Sequence, residues 1–504
     1  MSSSGEAPAL EVLIVGAGFS GLCLGARLRQ AGISNFLILE KAGSPGGTWR
    51  DNIYPGCACD VPSHLYSLSF APRPDWTRIY PEQAELLGYI QGVIRRFGLG
   101  PHLRMDAEMT GADWDADAAL WRVRTVDGER LNARVLVSAT GALHAPDIPV
   151  LPGIEAFEGV AFHSARWDRA FDPSGKRIAV IGTGASALQF TPEIAPAARQ
   201  VVVFQRTAPW VLPKLDRPVG RLERFAYRWV PGWRRAYRAW TYWRFELRAL
   251  AMQGRPKVLE RVEALGRYQL ESQVAGADLR ARLTPGFRIG CKRILLSNDW
   301  YPTLQRDNVE LVTRPVAEVR KGSIVDADGV ERAVDAIIYG TGFAVARALR
   351  NLPVRGAGGV ALHEAWSETV RSYYGLAVAG FPNFFLMLGP NTGLGHNSQL
   401  IMIEAQARHV VSALNLMRRR RSRTIEVRPE AVERFDARLQ TALAGSIWQT
   451  GGCRSWYQDE RGRNPTLWPG FTFDYARKTS RARAGDYAFA GVSQNTGASA
   501  NGAG

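Results

Sequence analysis

Short apolar runs that end in glycine recur along the chain and outline its architecture. Val12 to Val15 is one; it leads directly into Gly16-Ala17-Gly18-Phe19-Ser20-Gly21 and a helix-like stretch reaching Gln30. Consecutive apolar residues without polar alternation suit a strand covered on both faces, so a parallel sheet is expected. A second strand, Phe36 to Leu39, closes on Glu40. The same order returns from Arg177 to Ile181, through Gly182-Thr183-Gly184-Ala185-Ser186-Ala187, to a strand over Val201 to Phe204 that closes on Gln205-Arg206-Thr207. Further strands are predicted over Ala133 to Ser138, Val309 to Val312, Ala336 to Tyr339 and Phe384 to Leu388, and a helix over Gln399 to Leu416. With two such strand-turn-helix units and no other internal repeat, the pattern predicts an α/β chain with two Rossmann-like dinucleotide-binding domains.

Each glycine turn is a candidate phosphate cradle. Gly16 permits the tight turn, Gly18 lets the backbone approach a pyrophosphate, Gly21 lets helix and strand pack closely, and the helix start carrying Ser20 faces the negative charge. Glu40 can accept from a ribose 2′-hydroxyl and would repel a 2′-phosphate, so the first unit should hold FAD or NAD. In the second unit, Gly182, Thr183, Gly184 and Ser186 form the cradle, and Ala187 stands at the third glycine position, as the fingerprint permits. There the strand end carries Arg206 and Thr207, and a guanidinium forks onto a 2′-phosphate. Opposite charges at the two strand ends therefore assign FAD to the first unit and NADPH to the second. Two similar exits, Ala139-Thr140-Gly141 and Gly340-Thr341-Gly342, flank the second unit and suggest that it is inserted into the first. The expected boundaries are an FAD domain over 8–150 and 334–479, a linker over 151–174, an NADP domain over 175–212 and 286–333, a helical cap over 213–285 and a disordered tail over 480–504.

A chain of 504 residues is too long for a single core. Its formal charge of +16 collects in Arg221 to Lys257 and Arg418 to Arg423, outside any recognisable nucleic-acid module, so a solvated basic face is expected and no nucleic-acid partner. Five cysteines, Cys23, Cys57, Cys59, Cys291 and Cys453, include no C-x-x-C. They imply no disulfide framework and no metal site, disfavour a thiol-disulfide reductase and suit a reducing cytoplasm. The N-terminus shows no signal-peptide pattern and no apolar run approaches the roughly 18 residues of a membrane span, so a soluble protein is expected; the expected oligomeric state is a monomer. The cap places Trp229, Trp233, Trp240 and Trp243 among arginines. That composition fits an interfacial membrane helix, or a lid whose aromatic side closes over the active site while the arginines stay in water. The lid is the expectation, and membrane association is not expected.

Phe157, Gly159, His163, Trp167 and Asp168 match F-x-G-x-x-x-H-x-x-x-W-(P/D), which resembles the fingerprint of the type I Baeyer–Villiger monooxygenases. Gly46-Gly47-Thr48-Trp49 followed by Tyr54-Pro55-Gly56 and Asp60 is similar to a second motif of that family, and Gly290-Cys291-Lys292-Arg293 to a third. Taken alone, Asp60 would read as a loop cap, the Lys-Arg pair as surface charge, and His163 and Trp167 as packing under a linker. The resemblance implies that Thr48, Trp49 and Tyr66 line the flavin and that Asp60 pairs with Arg293 over its reacting face. It also implies that Gln189 lies in the NADP site, that Lys292 joins Arg206 on the 2′-phosphate, and that Trp456 borders the substrate. The implied activity converts a ketone and O2 to an ester or lactone through a C4a-peroxyflavin, with FAD and NADPH as cofactors. Gly340 departs from the family's alanine, and the cap matches only in position. A heteroatom-oxidising flavin monooxygenase and a non-catalytic flavin-binding membrane protein are the alternatives.

Overall fold

The computed structural model describes residues 9–345, 350–453, 455, 457–459 and 461–492. Trp456 lies outside the described residues.

Two sheets organise the chain. In the first, Leu10–Val15 lies between Phe36–Leu39 and Arg130–Ser138, all parallel, and Phe384–Leu386 also joins Arg130–Ser138 in parallel. Met109–Asp115 and Leu120–Thr125 extend it as an antiparallel meander. Val12 and Ile14 enter one core cluster while Leu13 and Val15 enter another, so both faces of that strand are covered. This is why its sequence is apolar without alternation. The second sheet is wholly parallel, in the order Val309–Val312, Gln200–Phe204, Arg177–Ile181, Ala336–Tyr339, Val160–His163.

Three boundaries differ from the expectation. Ala336–Tyr339 belongs to the second sheet, so the return to the first domain falls after it and not at 334. The stretch 151–174 is not only a linker: Val160–His163 is the edge strand of the second sheet, in register from Val160 with Ala336 to His163 with Tyr339. Four residues without alternation, set inside the fingerprint, carried no separate strand signal. The tail expected to be disordered from Ser480 instead includes the strand Tyr487–Val492, antiparallel to Ser422–Val427. Its pairing partner is some sixty residues away in sequence, which composition cannot reveal.

The cap also differs. Arg221–Trp229 and Trp233–Glu246 are helices, but Trp229, Trp233, Trp240 and Trp243 are all at least half exposed. Facing inward are Tyr227, Phe245 and Arg238, whose guanidinium donates to the Ser67 carbonyl at 2.9 Å. The lid expectation fails for the tryptophans, which face solvent, while Arg221, Arg228, Arg235, Arg244 and Arg248 stay exposed as expected and Arg238 is drawn in by loop carbonyls that offer it acceptors. Glu246, fully buried, anchors the cap by accepting from Asn397, from the Thr472 backbone and hydroxyl, and from Phe473 N.

Buried His409 joins the terminal strand to the long helix Gln399–Arg420. One ring nitrogen meets the Thr479 carbonyl at 2.6 Å and the other the Tyr487 hydroxyl at 2.7 Å, an arrangement that suits the neutral ring. Burial pushes its pKa down from 6.5 to about 4. The folded state therefore resists a proton that the unfolded chain accepts. The stabilisation is complete above about 6.5 and is lost as pH falls toward about 4, on the order of 3 kcal/mol. A melting temperature that drops over this window, and a shallower drop in His409→Gln, are the expected results; identical pH profiles for the two proteins would remove the assignment.

Candidate active site

The first cradle is formed where Leu10–Val15 meets the helix Phe19–Gln30. Gly16 has φ +111°, and a Cβ on it would lie 2.5 Å from the Ala139 carbonyl oxygen. A Cβ on Gly21 would lie 2.0 Å from the Gly16 oxygen, so only glycine fits. The helix starts at Gly18 with no side-chain cap and no acid in its first turn, leaving its N–H groups to an anion. Ser20 is buried within that turn. Glu40 is buried beside it, accepting from Ala17 N at 3.0 Å and pairing with Arg50 at 2.8 Å. The loop from Gly46 closes over this cradle: a Cβ on Gly47 would stand 3.1 Å from the Gly18 Cα. From there Thr48 begins a short helical turn, and Trp49 Nε1 donates to the Tyr66 hydroxyl at 3.2 Å. Phe19 meets the same tyrosine edge-on at 5.6 Å. Backbone-only surfaces and an aromatic wall suit a pyrophosphate and a flat ring system.

The second cradle repeats the first. Gly182 has φ +97°, Gly184 starts the helix Ala185–Ile194 without a side-chain cap, and a Cβ on Gly182 would meet the Gly340 oxygen at 2.8 Å. Gly340 thus plays toward Gly182 the part Ala139 plays toward Gly16. Its departure from alanine has a local cause: a Cβ at 340 would stand 2.9 Å from the Cβ of Ala187, the residue replacing the third glycine. The methyl group has changed sides. Gly340→Ala is expected to cost about 1–3 kcal/mol, with most of it restored by adding Ala187→Gly. Additive losses in melting temperature for the pair would show that the two sites are not coupled.

At the strand end Thr183 Oγ1 reaches the Thr207 carbonyl at 3.4 Å, and exposed Arg206 lies near enough to Lys292 to lower its pKa, after the larger effect of burial. Among the described residues neither cation has an ion pair. Gln189 reaches across to the loop before Asp60. Its amide donates to the Ala58 carbonyl at 3.0 Å and accepts from the Tyr54 hydroxyl at 3.0 Å. Ser186 lies against the same tyrosine. The Gln189 clip joins the second cradle's helix to the loop that carries the carboxylate.

Arg293 and Asp60, 233 residues apart, form an ion pair: the guanidinium donates to Asp60 Oδ2 from Nε at 3.1 Å and from Nη2. The arginine side chain is 45% exposed and the aspartate 33%, so one side of the pair stays open. Asp60 is the main cause that raises the Arg293 pKa, which keeps the cation permanent. Buried Tyr457 lies close by, its hydroxyl lifted by burial to about 12 against the pull of Arg293.

The turn that carries Lys292 and Arg293 is held from two sides that sequence reading missed. Buried Glu263, on the cap helix Pro256–Gln273, accepts from Arg288 Nε at 2.6 Å and from Ile289 N at 3.1 Å. Cys291 and Cys453 are joined by a disulfide, which corrects the expectation of none. Their 162-residue separation gives no spacing signal; the fold alone brings the two loops together.

The fingerprint residues sit at the junction of the sheets. A Cβ on Gly159 would strike both the Asp335 oxygen and the Phe157 ring at 2.5 Å. Trp167 packs against Phe162, Phe171 and Phe190, and Asp168 accepts from Ala170 N at 2.9 Å. Buried His163 accepts from Ala165 N at 3.1 Å and faces the Phe343 ring. No group of three or more metal-ligating side chains occurs among the described residues, and no helix among them is long and apolar enough to cross a membrane.

Residues 13–220 match the family described as pyridine nucleotide-disulphide oxidoreductase. A Streptomyces coelicolor protein described as a Baeyer–Villiger monooxygenase is 45% identical over 479 residues, spanning 95% of this chain and 92% of that one. A Pseudomonas aeruginosa protein of the same description is 44% identical, spanning 95% and 91%. The crystal structure of a cyclohexanone monooxygenase from Rhodococcus sp. Phi1 bound to NADP+ is similar with TM-score 0.85 and 28% identity, over 96% of this chain and 99% of that one. The structure of OTEMO complexed with FAD and NADP gives 0.87 and 26%, over 96% and 100%.

Proposed function

The chain belongs to the Baeyer–Villiger monooxygenases, and from that premise we propose that it uses FAD, NADPH and O2 to insert one oxygen atom beside a ketone carbonyl, giving an ester or lactone. The contact of Arg293 with Asp60 carries this reading. The first cradle would hold FAD, which when bound would supply the oxygen-activating chemistry, with NADPH as its reductant. Arg293 holds a fixed positive charge where negative charge develops on oxygen as the carbonyl carbon is attacked. Such preorganised charge favours the anion over the neutral form. Asp60 orients the guanidinium and offsets its desolvation. Thr48, Trp49 and Tyr66 bound the flavin ring, and the second cradle with Arg206, Thr207 and Lys292 takes NADPH.

The test is a panel of cyclic, linear and aromatic ketones alongside thioethers and amines, scored by product formed per NADPH consumed. Coupled ester or lactone formation is expected from ketones. Coupled oxidation of the thioethers or amines alone would transfer the chain to heteroatom chemistry. Arg206→Ala should raise the KM for NADPH about tenfold to a hundredfold, the worth of a charge-assisted contact, with little change for NADH. An unchanged ratio of the two constants would remove the phosphate clamp.

A further inference from the structure

The cap helices present an apolar face that nothing in the oxygenation reading uses. On Arg221–Trp229 the residues Leu222, Phe225 and Trp229 follow helical spacing along one stripe, and on Trp233–Glu246 so do Trp233, Trp240 and Trp243; all six are between 50% and 85% exposed. Side chains this large are ordinarily drawn into the core, and contiguous exposed apolar stripes mark interaction surfaces. The surrounding charge identifies the partner. Residues 221–248 carry eight arginines, of which Arg238 turns inward onto the Ser67 carbonyl, against two glutamates. Of these acids, Glu223 is held by Arg217 at 2.7 Å and Glu246 is fully buried. Guanidinium groups lie beside the indoles, Arg244 at 4.4 Å from the Trp240 ring and Arg228 at 5.7 Å from that of Trp229.

We propose that this face docks on an anionic lipid bilayer, with the tryptophans, Leu222 and Phe225 at the headgroup boundary and the arginines on lipid phosphates. A second copy of the chain fits less well, because a twofold contact would set arginines against arginines. A nucleic-acid strand fits less well too, since Leu222 offers no ring on which a base could stack. Peripheral docking of this kind needs no spanning helix.

Flotation of the full-length holoenzyme with phosphatidylcholine vesicles, with and without phosphatidylglycerol, tests the proposal. Expected are flotation with the anionic vesicles only, a blue shift of tryptophan emission on binding, and weakening as salt screens the arginines. The triple variant W233S/W240S/W243S should lose at least about tenfold in partitioning. Flavin content checks its folding, and R221Q/R228Q/R235Q gives a second reading that leaves the apolar face intact. Absence of flotation with the wild type overturns the proposal, as does lipid binding that both variants leave unchanged. Self-association with no lipid binding would assign the face to a second copy, and poly(U) binding without flotation would assign it to nucleic acid; either result overturns the bilayer.

Discussion

Replacing Arg293 by alanine is expected to lower ketone oxygenation by about a hundredfold to a thousandfold while NADPH still reduces the flavin. The separation follows from position. The guanidinium meets Asp60 on the turn 290–293, whereas Lys292, one residue earlier, lies near Arg206 at the end of the second cradle. Loss of the Arg293 charge is therefore expected to remove the proposed stabilisation of a developing oxyanion without removing the proposed nucleotide clamp. Stopped-flow reduction together with product analysis checks both halves. Oxygenation by the variant at near the wild-type rate would refute the role, and failure of reduction would move Arg293 to the NADPH step. Asp60→Asn should show a milder form of the same pattern, since it keeps the shape of the pair and removes its counter-charge.

Gly21→Ala is the second large effect. The added methyl would sit 2.0 Å from a backbone oxygen, where no side chain can rotate aside. Strand and helix must part, at an expected cost above about 3 kcal/mol and a loss of FAD affinity beyond about a hundredfold. Gly18→Ala makes the informative comparison. Its Cβ has nothing nearer than 3.6 Å, so the apoprotein should keep its melting temperature and only the approach of a pyrophosphate should suffer. Stoichiometric flavin in purified Gly21→Ala would show that the first cradle does not hold the cofactor.

Both cradles were legible because their chemistry is local: a turn needing positive φ and a helix start needing bare N–H groups leave glycine at fixed spacing. The charges at Glu40 and Arg206 were legible for the same reason. Asp60 and Arg293 could be set together only through family resemblance, since nothing in either segment specifies the other. What stayed hidden was pairing across long separations. The edge strand Val160–His163, the terminal strand Tyr487–Val492, the Cys291–Cys453 bond and the buried acids Glu246 and Glu263 all take their partners from distant segments. The cap misled for a different reason. Its mixture of arginine and tryptophan is amphipathic on either reading, and only the loop carbonyls that receive Arg238 decide which side turns inward.

The edge strand bears on how the two sheets can move. Val160–His163 is hydrogen-bonded along Ala336–Tyr339, and Glu158 N and Val319 N tie the stretch before it to the same body, through Lys321 O at 2.9 Å and Pro152 O at 2.7 Å. The fingerprint therefore rides with the second sheet and cannot serve as a free swivel. The chain crosses between the sheets before Pro152 and after Tyr339. Those two crossings are zipped together, Asp147 N to Gly342 O at 2.9 Å and Ala344 N to Ala145 O at 3.0 Å. Pro146 bridges Phe343 between these bonds, so the two crossings form one short paired ribbon and not two independent linkers.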